Sequence, residues 1–221
     1  MSAPVPLPAR SGVVGGGRMG AGIAHALLLA GSEVVLVEAD ASAAPAARQR
    51  VVDAVRRSAE RGALDGAVDD VVARLEVATA ADALTGCGLV VEAVPEDVEL
   101  KARVFTAVEA AVGDDAVIAS NTSSLPITRL AGALRRPDRA LGLHFFNPVP
   151  ASLLVEVVVG RPPTRRWSSG PPAGWPRSER RRSSSATPRA SPAAGWGWRW
   201  AWRRSGWWRR ASPRPRTSTP P

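Results

Sequence analysis

The sequence predicts an α/β fold, a mostly parallel sheet with helices on both faces. Between residues 11 and 160, short apolar runs alternate with amphipathic stretches, the pattern of strands and helices that follow one another in βαβ units. A glycine-rich turn lies directly between the first apolar run and the first amphipathic stretch. We therefore expect an N-terminal arm over residues 1–10, an α/β domain over 11–160 and a separate tail over 161–221.

Seven strands and at least three helices are expected. The helix over 18–30 opens directly on the first strand. The helices over 43–60 and 98–112 each carry an apolar stripe at helical spacing, through Val51 and Val55 in one and Val104 and Val108 in the other. The predicted strands are residues 11–14, 33–38, 74–77, 89–92, 116–120, 140–144 and 153–159.

The tail over residues 161–221 differs from the rest of the chain in charge and composition. Residues 1–160 hold 14 Lys and Arg against 19 Asp and Glu, a net charge of −5, whereas the tail holds 15 Arg and one acid, a net charge of +14. It contains all eight Trp, but no Leu, Ile, Val, Met or Phe. Such a segment cannot build an ordinary core, so we expect a disordered basic tail.

Composition also excludes several classes of protein. The longest apolar run, residues 23–30, is too short to span a bilayer, and the proline-rich start lacks the apolar centre of a signal peptide. We therefore expect no membrane partner. The single cysteine, Cys87, excludes an intramolecular disulfide and fits a reducing cytoplasm. Two histidines and one cysteine without close spacing do not form a zinc motif, so no metal is expected.

A phosphate-binding motif follows the first predicted strand. Residues 15–20, Gly-Gly-Gly-Arg-Met-Gly, match G-x-G-x-x-G where a helix begins. Here Gly15 allows a tight turn, Gly17 lets the backbone approach a pyrophosphate, and Gly20 permits close packing of helix on strand. The helix N-terminus adds unpaired N–H groups and a positive dipole. We therefore predict a Rossmann-type dinucleotide site that includes these three glycines and Met19.

An acid at the end of the second strand indicates which dinucleotide binds. Glu38 follows Gly20 by 18 residues, where a carboxylate hydrogen-bonds the ribose hydroxyls and repels a 2′-phosphate. NAD is therefore expected in preference to NADP. Asp40 is an alternative residue for the same role.

Several further strings of residues resemble one enzyme family. They are Val-Glu-Ala-Val-Pro-Glu at 91–96, Glu-Leu-Lys at 99–101, Ser-Asn-Thr-Ser-Ser-Leu at 120–125, His-Phe-Phe-Asn-Pro-Val-Pro at 144–150 and Leu-Val-Glu-Val-Val at 154–158. Together they resemble the NAD-binding domain of the 3-hydroxyacyl-CoA dehydrogenases. The resemblance implies a NAD-dependent oxidoreductase of fatty acid and butanoate metabolism. Such an enzyme oxidises a 3-hydroxyacyl-CoA, with 3-hydroxybutyryl-CoA the expected substrate, to the 3-oxoacyl-CoA.

The residues themselves support an acid–base pair. Oxidation of a secondary alcohol needs a base for the hydroxyl proton, and histidine suits that task near neutral pH. His144 closes a predicted strand, and Glu156 lies 12 residues later in the next strand, where a buried carboxylate needs a partner. A His–Glu pair meets that need and orients the imidazole. A buried structural histidine and an ordinary edge-strand acid are the alternative interpretations.

The resemblance implies roles for further residues. Ser123 would hydrogen-bond the 3-oxygen of the substrate, and Glu96, Lys101, Asn121 and Asn147 would hold the cofactor around its nicotinamide ribose. Lys101 would also reach the substrate. Loop capping is the alternative for Asn121 and Ser123, because both are natural turn residues.

Three further polar residues lie outside these strings. Arg57 and Arg61 could meet the phosphates of CoA, with Arg61 the candidate substrate residue and a solvated helix face as the alternative. His25 has no acidic neighbour in the sequence and is expected in packing or at the surface.

The resemblance also implies a homodimer. In the family, an all-helical domain follows the strand that carries Glu156, completes the substrate pocket and forms the dimer interface. Residues 161–221 do not resemble that domain. Because a misplacement of about 1 Å can cost on the order of a hundredfold in rate, we expect this chain to bind NAD weakly and to lack turnover.

The tail has the composition of a GC-rich gene read in a shifted frame. Tryptophan has a single codon, TGG, so a shifted frame converts each Trp to Leu, Met or Val. Applied to residues 201–219 with GC-rich codons, this shift permits a peptide similar to the helical domain of the family. We therefore predict a frameshift near Gly160. Arginine with interleaved tryptophan could instead bind single-stranded nucleic acid, but the frameshift accounts for these residues, so no specific nucleic-acid partner is expected.

Overall fold

A computed structural model describes residues 7–149 and 155–160. All of them belong to one unit, Leu7–Pro163, and the other unit of the chain lies outside the described residues. The predicted disorder of residues 161–221 therefore also falls outside them. The described elements are β1 (Arg10–Val14), α1 (Arg18–Leu29), β2 (Glu33–Val37), α2 (Ala44–Glu60), α3 (Val68–Val72), β3 (Leu75–Ala78), β4 (Leu89–Glu92), α4 (Val98–Ala111), β5 (Val117–Ser120), α5 (Ile127–Ala131), β6 (Ala140–Phe145) and β7 (Val155–Val159), with short 3₁₀ helices at Ala81–Leu84 and Pro137–Arg139.

The strands form one sheet in the order β3-β2-β1-β4-β5-β6-β7. The first six strands are parallel, and β7 runs antiparallel to β6. The strand order reverses between β1 and β4, and in such sheets a crevice opens at that point outside the carboxyl ends of the strands. The predicted α/β fold is confirmed, and the first six strands end within one residue of their predicted limits.

Helices cover both faces of the sheet. Successive residues of β1 point to opposite faces, so Gly12 meets Leu84 of the first 3₁₀ helix, whereas Val13 meets Gly20 of α1. On the face of Gly12, the side chains of α4 and α5 pack in one core with β2, β4 and β5. The periodicity had indicated the buried stripes correctly, because Val51, Val55 and Val108 are buried.

Two short helices, α3 and α5, were not predicted as separate elements. Each has five residues, which is too short for an apolar period of 3.6 residues to be recognised. Across the described ranges, no helix combines the length and the apolar character needed to cross a membrane.

Candidate functional site

The loops at one edge of the sheet carry nearly all of the predicted site residues. The six parallel strands, β1 to β6, end at this edge, and the antiparallel β7 begins there. Arg61 is the exception, because it follows the far end of α2, about 20 Å along the helix axis from Ala47 beside the glycine loop. The residues at the edge are Gly15, Gly17, Met19, Gly20, Glu38, Glu96, Asn121, Ser123, His144, Asn147 and Glu156. Lys101 also reaches this edge, because its ammonium contacts the carbonyl oxygen of Val94 in the loop after β4.

The backbone of the glycine loop fits the predicted phosphate site. Gly15 has a φ of +97°, and a Cβ there would lie 3.0 Å from the carbonyl oxygen of Ala93 in the loop after β4. A Cβ on Gly20 would overlap the carbonyl oxygen of Gly15. A Cβ on Gly17, in contrast, meets no atom within 4 Å. Gly15 and Gly20 are thus required by packing, whereas Gly17 faces open space.

The N-terminus of α1 faces the same space without a cap of its own. Gly17 is the N-cap residue and offers no side-chain acceptor, and the first turn contains no acidic residue. The first N–H groups of a helix have no acceptor within the helix and carry positive partial charge. The residues present therefore fit the pyrophosphate of a dinucleotide at this position.

The two candidate ribose acids lie in different surroundings. The Oε2 atom of Glu38 accepts the N–H of Gly16 at 2.7 Å, which places this carboxylate beside the glycine loop. The Oδ1 atom of Asp40 instead accepts the hydroxyl and N–H of Ser42, at 2.6 and 2.8 Å, and the N–H of Ala43. These hydrogen bonds lower the pKa of Asp40. Asp40 thus stabilises the turn before α2, and Glu38 is the acid that lies at the crevice.

His144 and Glu156 lie directly opposite each other on adjacent strands. The antiparallel register of β6 and β7 pairs these two residues, and the Nδ1 atom of His144 lies 3.0 Å from Oε2 of Glu156. The imidazole also contacts the ring of Phe146, with centroids 4.5 Å apart. The histidine side chain is 22% exposed. The structure thus brings the predicted pair together. The expected burial of Glu156 is wrong, because its side chain is 54% exposed on the edge strand β7.

The loop after β5 presents Ser123 to solvent. Asn121 does not point away from the protein, because its Oδ1 atom accepts the N–H of Phe145 at 2.9 Å and so joins the ends of β5 and β6. Ser123 follows two residues later and is exposed. Its neighbours Thr122 and Ser124 both donate hydroxyl hydrogen bonds to Oε1 of Glu96. Asn147, on the loop after β6, is also exposed.

Lys101 lies behind Glu96 and not at the surface. It is 1% exposed, and its ammonium contacts Oε1 of Glu92 at 2.7 Å, the carbonyl oxygen of Val94 at 3.0 Å and Oε2 of Glu96 at 3.3 Å. Burial alone would raise the pKa of Glu96, but the hydrogen bonds from Thr122 and Ser124, together with Lys101, lower it to about 2. Glu96 is therefore an anion that joins the loops after β4 and β5.

Sequence reasoning did not single out Glu92 as a site residue. The sequence nevertheless contains a signal for Glu92, because this acid ends the apolar run of β4 and a lysine follows nine residues later. His25, expected in packing or at the surface, is buried between α1 and α2, where its Nε2 atom lies 3.0 Å from Oγ of Ser58. Arg61 is exposed and makes no contact with the residues of the site.

Comparisons with known proteins show which family this chain resembles. Residues 10–165 match the family model of the 3-hydroxyacyl-CoA dehydrogenase NAD-binding domain. The chain is 44% identical over 151 residues to a 3-hydroxybutyryl-CoA dehydrogenase of Mycobacterium tuberculosis, covering 67% of this chain and 53% of that protein. It is 39% identical over 153 residues to a mitochondrial hydroxyacyl-coenzyme A dehydrogenase of Rattus norvegicus, covering 66% of this chain and 49% of that protein.

A solved structure shows the same similarity. The crystal structure of (S)-3-hydroxybutyryl-CoA dehydrogenase from Ralstonia eutropha matches with a TM-score of 0.65 and 38% identity, covering 69% of this chain and 54% of that chain. The chain spans about half the length of the curated relatives it matches. The predicted cofactor, NAD, is confirmed by the family model. The chain belongs to the 3-hydroxyacyl-CoA dehydrogenase family, whose NAD-binding domain occupies residues 10–165.

Proposed function

We propose that this chain takes part in the NAD-dependent oxidation of a 3-hydroxyacyl-CoA, with 3-hydroxybutyryl-CoA as the substrate. The observation that carries the proposal is the pair of His144 and Glu156, 3.0 Å apart at the carboxyl edge of the sheet. The exposed Ser123 lies on the neighbouring loop, which Asn121 joins to the end of β6. The names of the relatives support the substrate class.

The contact with Glu156 supports one tautomer of the His144 imidazole. Because Nδ1 of His144 faces the carboxylate of Glu156, the Nδ1–H donates to Glu156 and the lone pair lies on Nε2. Nε2 then takes the proton of the 3-hydroxyl, and Glu156 stabilises the imidazolium that forms. Bound NAD supplies the acceptor for the hydride from the substrate carbon. Ser123 donates a hydrogen bond to the substrate oxygen and so holds it in place.

Other residues hold the two ligands. The glycine loop and Glu38 bind the adenosine diphosphate half of NAD, while Glu96, Asn121 and Asn147 border the nicotinamide half. Lys101 acts at the nicotinamide end through Glu96, because the ammonium of Lys101 is buried behind the carboxylate of Glu96. Arg61, exposed at the end of α2, meets the phosphates of CoA.

Cofactor binding without turnover is the second candidate function. It is favoured because the residues that match the family model belong to the NAD-binding domain alone. On this alternative, the glycine loop and Glu38 bind NAD while the CoA ester is held too loosely for reaction.

Two assays on the full chain separate the candidates. Isothermal titration with NADH measures cofactor binding, and the loss of NADH absorbance with acetoacetyl-CoA measures turnover. Binding with turnover supports the first candidate, binding without turnover supports the second, and absence of binding overturns both.

A pair of histidine variants tests the mechanism where turnover is found. His144→Gln should lower the rate by about 10² to 10⁴-fold, as expected for loss of a general base, while NADH affinity stays within about twofold, a change near 0.4 kcal/mol. His25→Gln is the matched control, because His25 is the other histidine of the chain and lies between α1 and α2. Equal activity of the two variants would contradict the assignment of His144.

We also propose the domain limits, assembly and location of the protein. Residues 11–160 form the NAD-binding domain and residues 161–221 a separate tail. The homodimer of the family forms through the helical domain, which residues 161–221 do not resemble, and no nucleic acid is a specific partner. The cytoplasm is its compartment, because Cys87 is the one cysteine of the chain and is buried as a free thiol.

A further inference from the structure

A buried carboxylate at the end of β4 makes contacts that the proposed mechanism does not use. Glu92 is 1% exposed and accepts three hydrogen bonds: from the N–H of Val94 at 2.6 Å, from Nζ of Lys101 at 2.7 Å and from Oγ of Ser120 at 2.6 Å. Desolvation of such an ion pair is costly, and an apolar pair of similar volume often serves stability as well. The contacts of Glu92 therefore suggest a role besides stability.

Each of the three donors belongs to a segment that leads into the site. Val94 lies in the loop after β4. Lys101 extends the network to Oε2 of Glu96 at 3.3 Å. Ser120 is the last residue of β5, and its Oγ atom accepts the N–H of Thr122 at 3.2 Å. Glu92 thus connects the ends of two neighbouring strands with the loops that follow them.

Glu96 connects the hydrogen-bond network of Glu92 to the turn that carries Ser123. Its Oε1 atom accepts the hydroxyl of Thr122, the hydroxyl of Ser124 at 2.9 Å and the N–H of Ser124 at 3.3 Å. The hydroxyl oxygen of Thr122 also accepts the N–H of Leu125 at 2.9 Å, which closes the turn. The exposed Ser123 is therefore held from both sides.

We propose that Glu92 is a positioning residue for the nicotinamide half of the cofactor site, acting through Lys101 on Glu96 and through Ser120 and Glu96 on the turn around Ser123. The proposal rests on the NAD binding proposed above. In a doubly wound sheet the dinucleotide lies across the point where the strand order reverses. The adenosine half then lies at the glycine loop and Glu38, whereas the hydrogen bonds of Glu92 go to Val94, Lys101 and Ser120. A change at Glu92 should therefore affect one half of the cofactor and spare the other.

The first test compares two ligands on the full chain. Glu92→Gln keeps the shape of the side chain but removes the charge that holds Lys101. We expect it to weaken NADH binding about tenfold, the effect of one lost hydrogen bond to a charged group. Binding of ADP-ribose, which lacks the nicotinamide, should stay within about twofold of the wild type, a change near 0.4 kcal/mol. Equal losses for both ligands would overturn the proposal, because they would show a general effect on folding.

A second test needs no ligand and so stands apart from the proposed function. Amide hydrogen exchange of Ser124 and Leu125 reports the turn around Ser123, because both N–H groups are bonded within it. Glu92→Gln should raise these exchange rates about tenfold in the unliganded chain. Unchanged rates would overturn the proposal even if the wild type binds NADH. Absence of NADH binding by the wild type, with the rates raised in the variant, would instead contradict the proposed function.

Glu109 provides the matched control. It is also a buried carboxylate, 4% exposed, and it accepts the N–H groups of Arg135 and Arg136 and pairs with Arg139 at 3.2 Å. It lies near the C-terminal end of α4, whereas Lys101 lies near the N-terminal end. Glu109→Gln should lower the melting temperature while the affinity for both ligands and the exchange of Ser124 stay unchanged.

A double variant keeps the proposal testable if Glu92→Gln folds poorly. Glu92→Gln combined with Lys101→Met leaves no unpaired buried charge at this position, so its melting temperature should return toward that of the wild type. We expect the loss of NADH affinity and the faster exchange at Ser124 to persist. Wild-type affinity and exchange in the double variant would show that the network serves stability alone.

Discussion

Gly17, the second glycine of the G-x-G-x-x-G motif, gives the most specific prediction for cofactor binding. A methyl group on Gly17 meets no protein atom within 4 Å, and the backbone has φ −65° and ψ −170°, a conformation open to alanine. Gly17→Ala should therefore leave the free energy of unfolding unchanged or raise it by about 0.4–1 kcal/mol, through the smaller entropy of the unfolded chain.

The same methyl group should obstruct the pyrophosphate. It would stand at the N-terminus of α1, among the backbone N–H groups that the motif offers to the pyrophosphate. A hydrogen bond to a charged group is worth about 1.5–3 kcal/mol. Loss of one such bond weakens NADH binding at least about tenfold.

Gly20→Ala is the matched substitution with the opposite expectation for stability. Its methyl group would overlap the carbonyl oxygen of Gly15, so the backbone must shift. We expect a loss of about 1–3 kcal/mol in the free energy of unfolding, as for other overpacked positions. Urea denaturation and isothermal titration with NADH measure the two effects separately. Full NADH affinity in a stably folded Gly17→Ala variant would refute the placement of the pyrophosphate.

Three further predictions concern the cofactor choice, a buried histidine and the tail. Glu38→Ala should shift the ratio of NADH to NADPH affinity toward NADPH by about tenfold. Asp40→Ala should leave that ratio unchanged and lower stability through the lost turn cap. An unchanged ratio in the Glu38 variant would remove Glu38 from the ribose site. Burial, with a smaller contribution from Arg57, lowers the pKa of His25 to about 4. The unfolded state therefore binds the proton more readily than the folded state. The free energy of unfolding should fall as the pH falls from about 6.5 toward 4. The loss amounts to about 3 kcal/mol, and the difference in urea stability between wild type and His25→Gln should become independent of pH above about pH 7. A difference that grows as the pH rises above about 7 would contradict this sign. A DNA read across the codons for residues 157–164 should show a gained or lost base; an unchanged frame would contradict the predicted frameshift near Gly160.

The fold could be predicted because its signals are local. Alternation of apolar runs and helical stripes indicated six of the strands within one residue, and the glycine pattern indicated where α1 begins. The short helix α5 was not predicted, because five residues are too few to show a helical period. The choice between Glu38 and Asp40 also stayed open in the sequence, since it depends on which carboxylate reaches the N–H of Gly16.

The site features that could not be predicted depend on contacts between residues that are far apart in the sequence. Lys101 appeared to be a ligand-binding residue, and its burial depends on Glu92 and Glu96, which meet it only after α4 packs on the sheet. The role of Glu92 depends in turn on the pairing of β4 with β5, which places Ser120 beside it. The pair of His144 and Glu156 could be anticipated because two adjacent strands placed an acid and a base 12 residues apart, but its register required the structure.

The most direct measurement is hydrogen–deuterium exchange of the full chain with and without NADH. NADH should protect the glycine loop at 15–20, the loop at 93–97 and the turn at 121–125, since these segments follow β1, β4 and β5 at the carboxyl edge of the sheet. NADPH at the same concentration should protect them far less, because Glu38 lies beside the loop. Absence of protection by NADH, or protection confined to other segments, would contradict the assignment of this edge of the sheet as the NAD site.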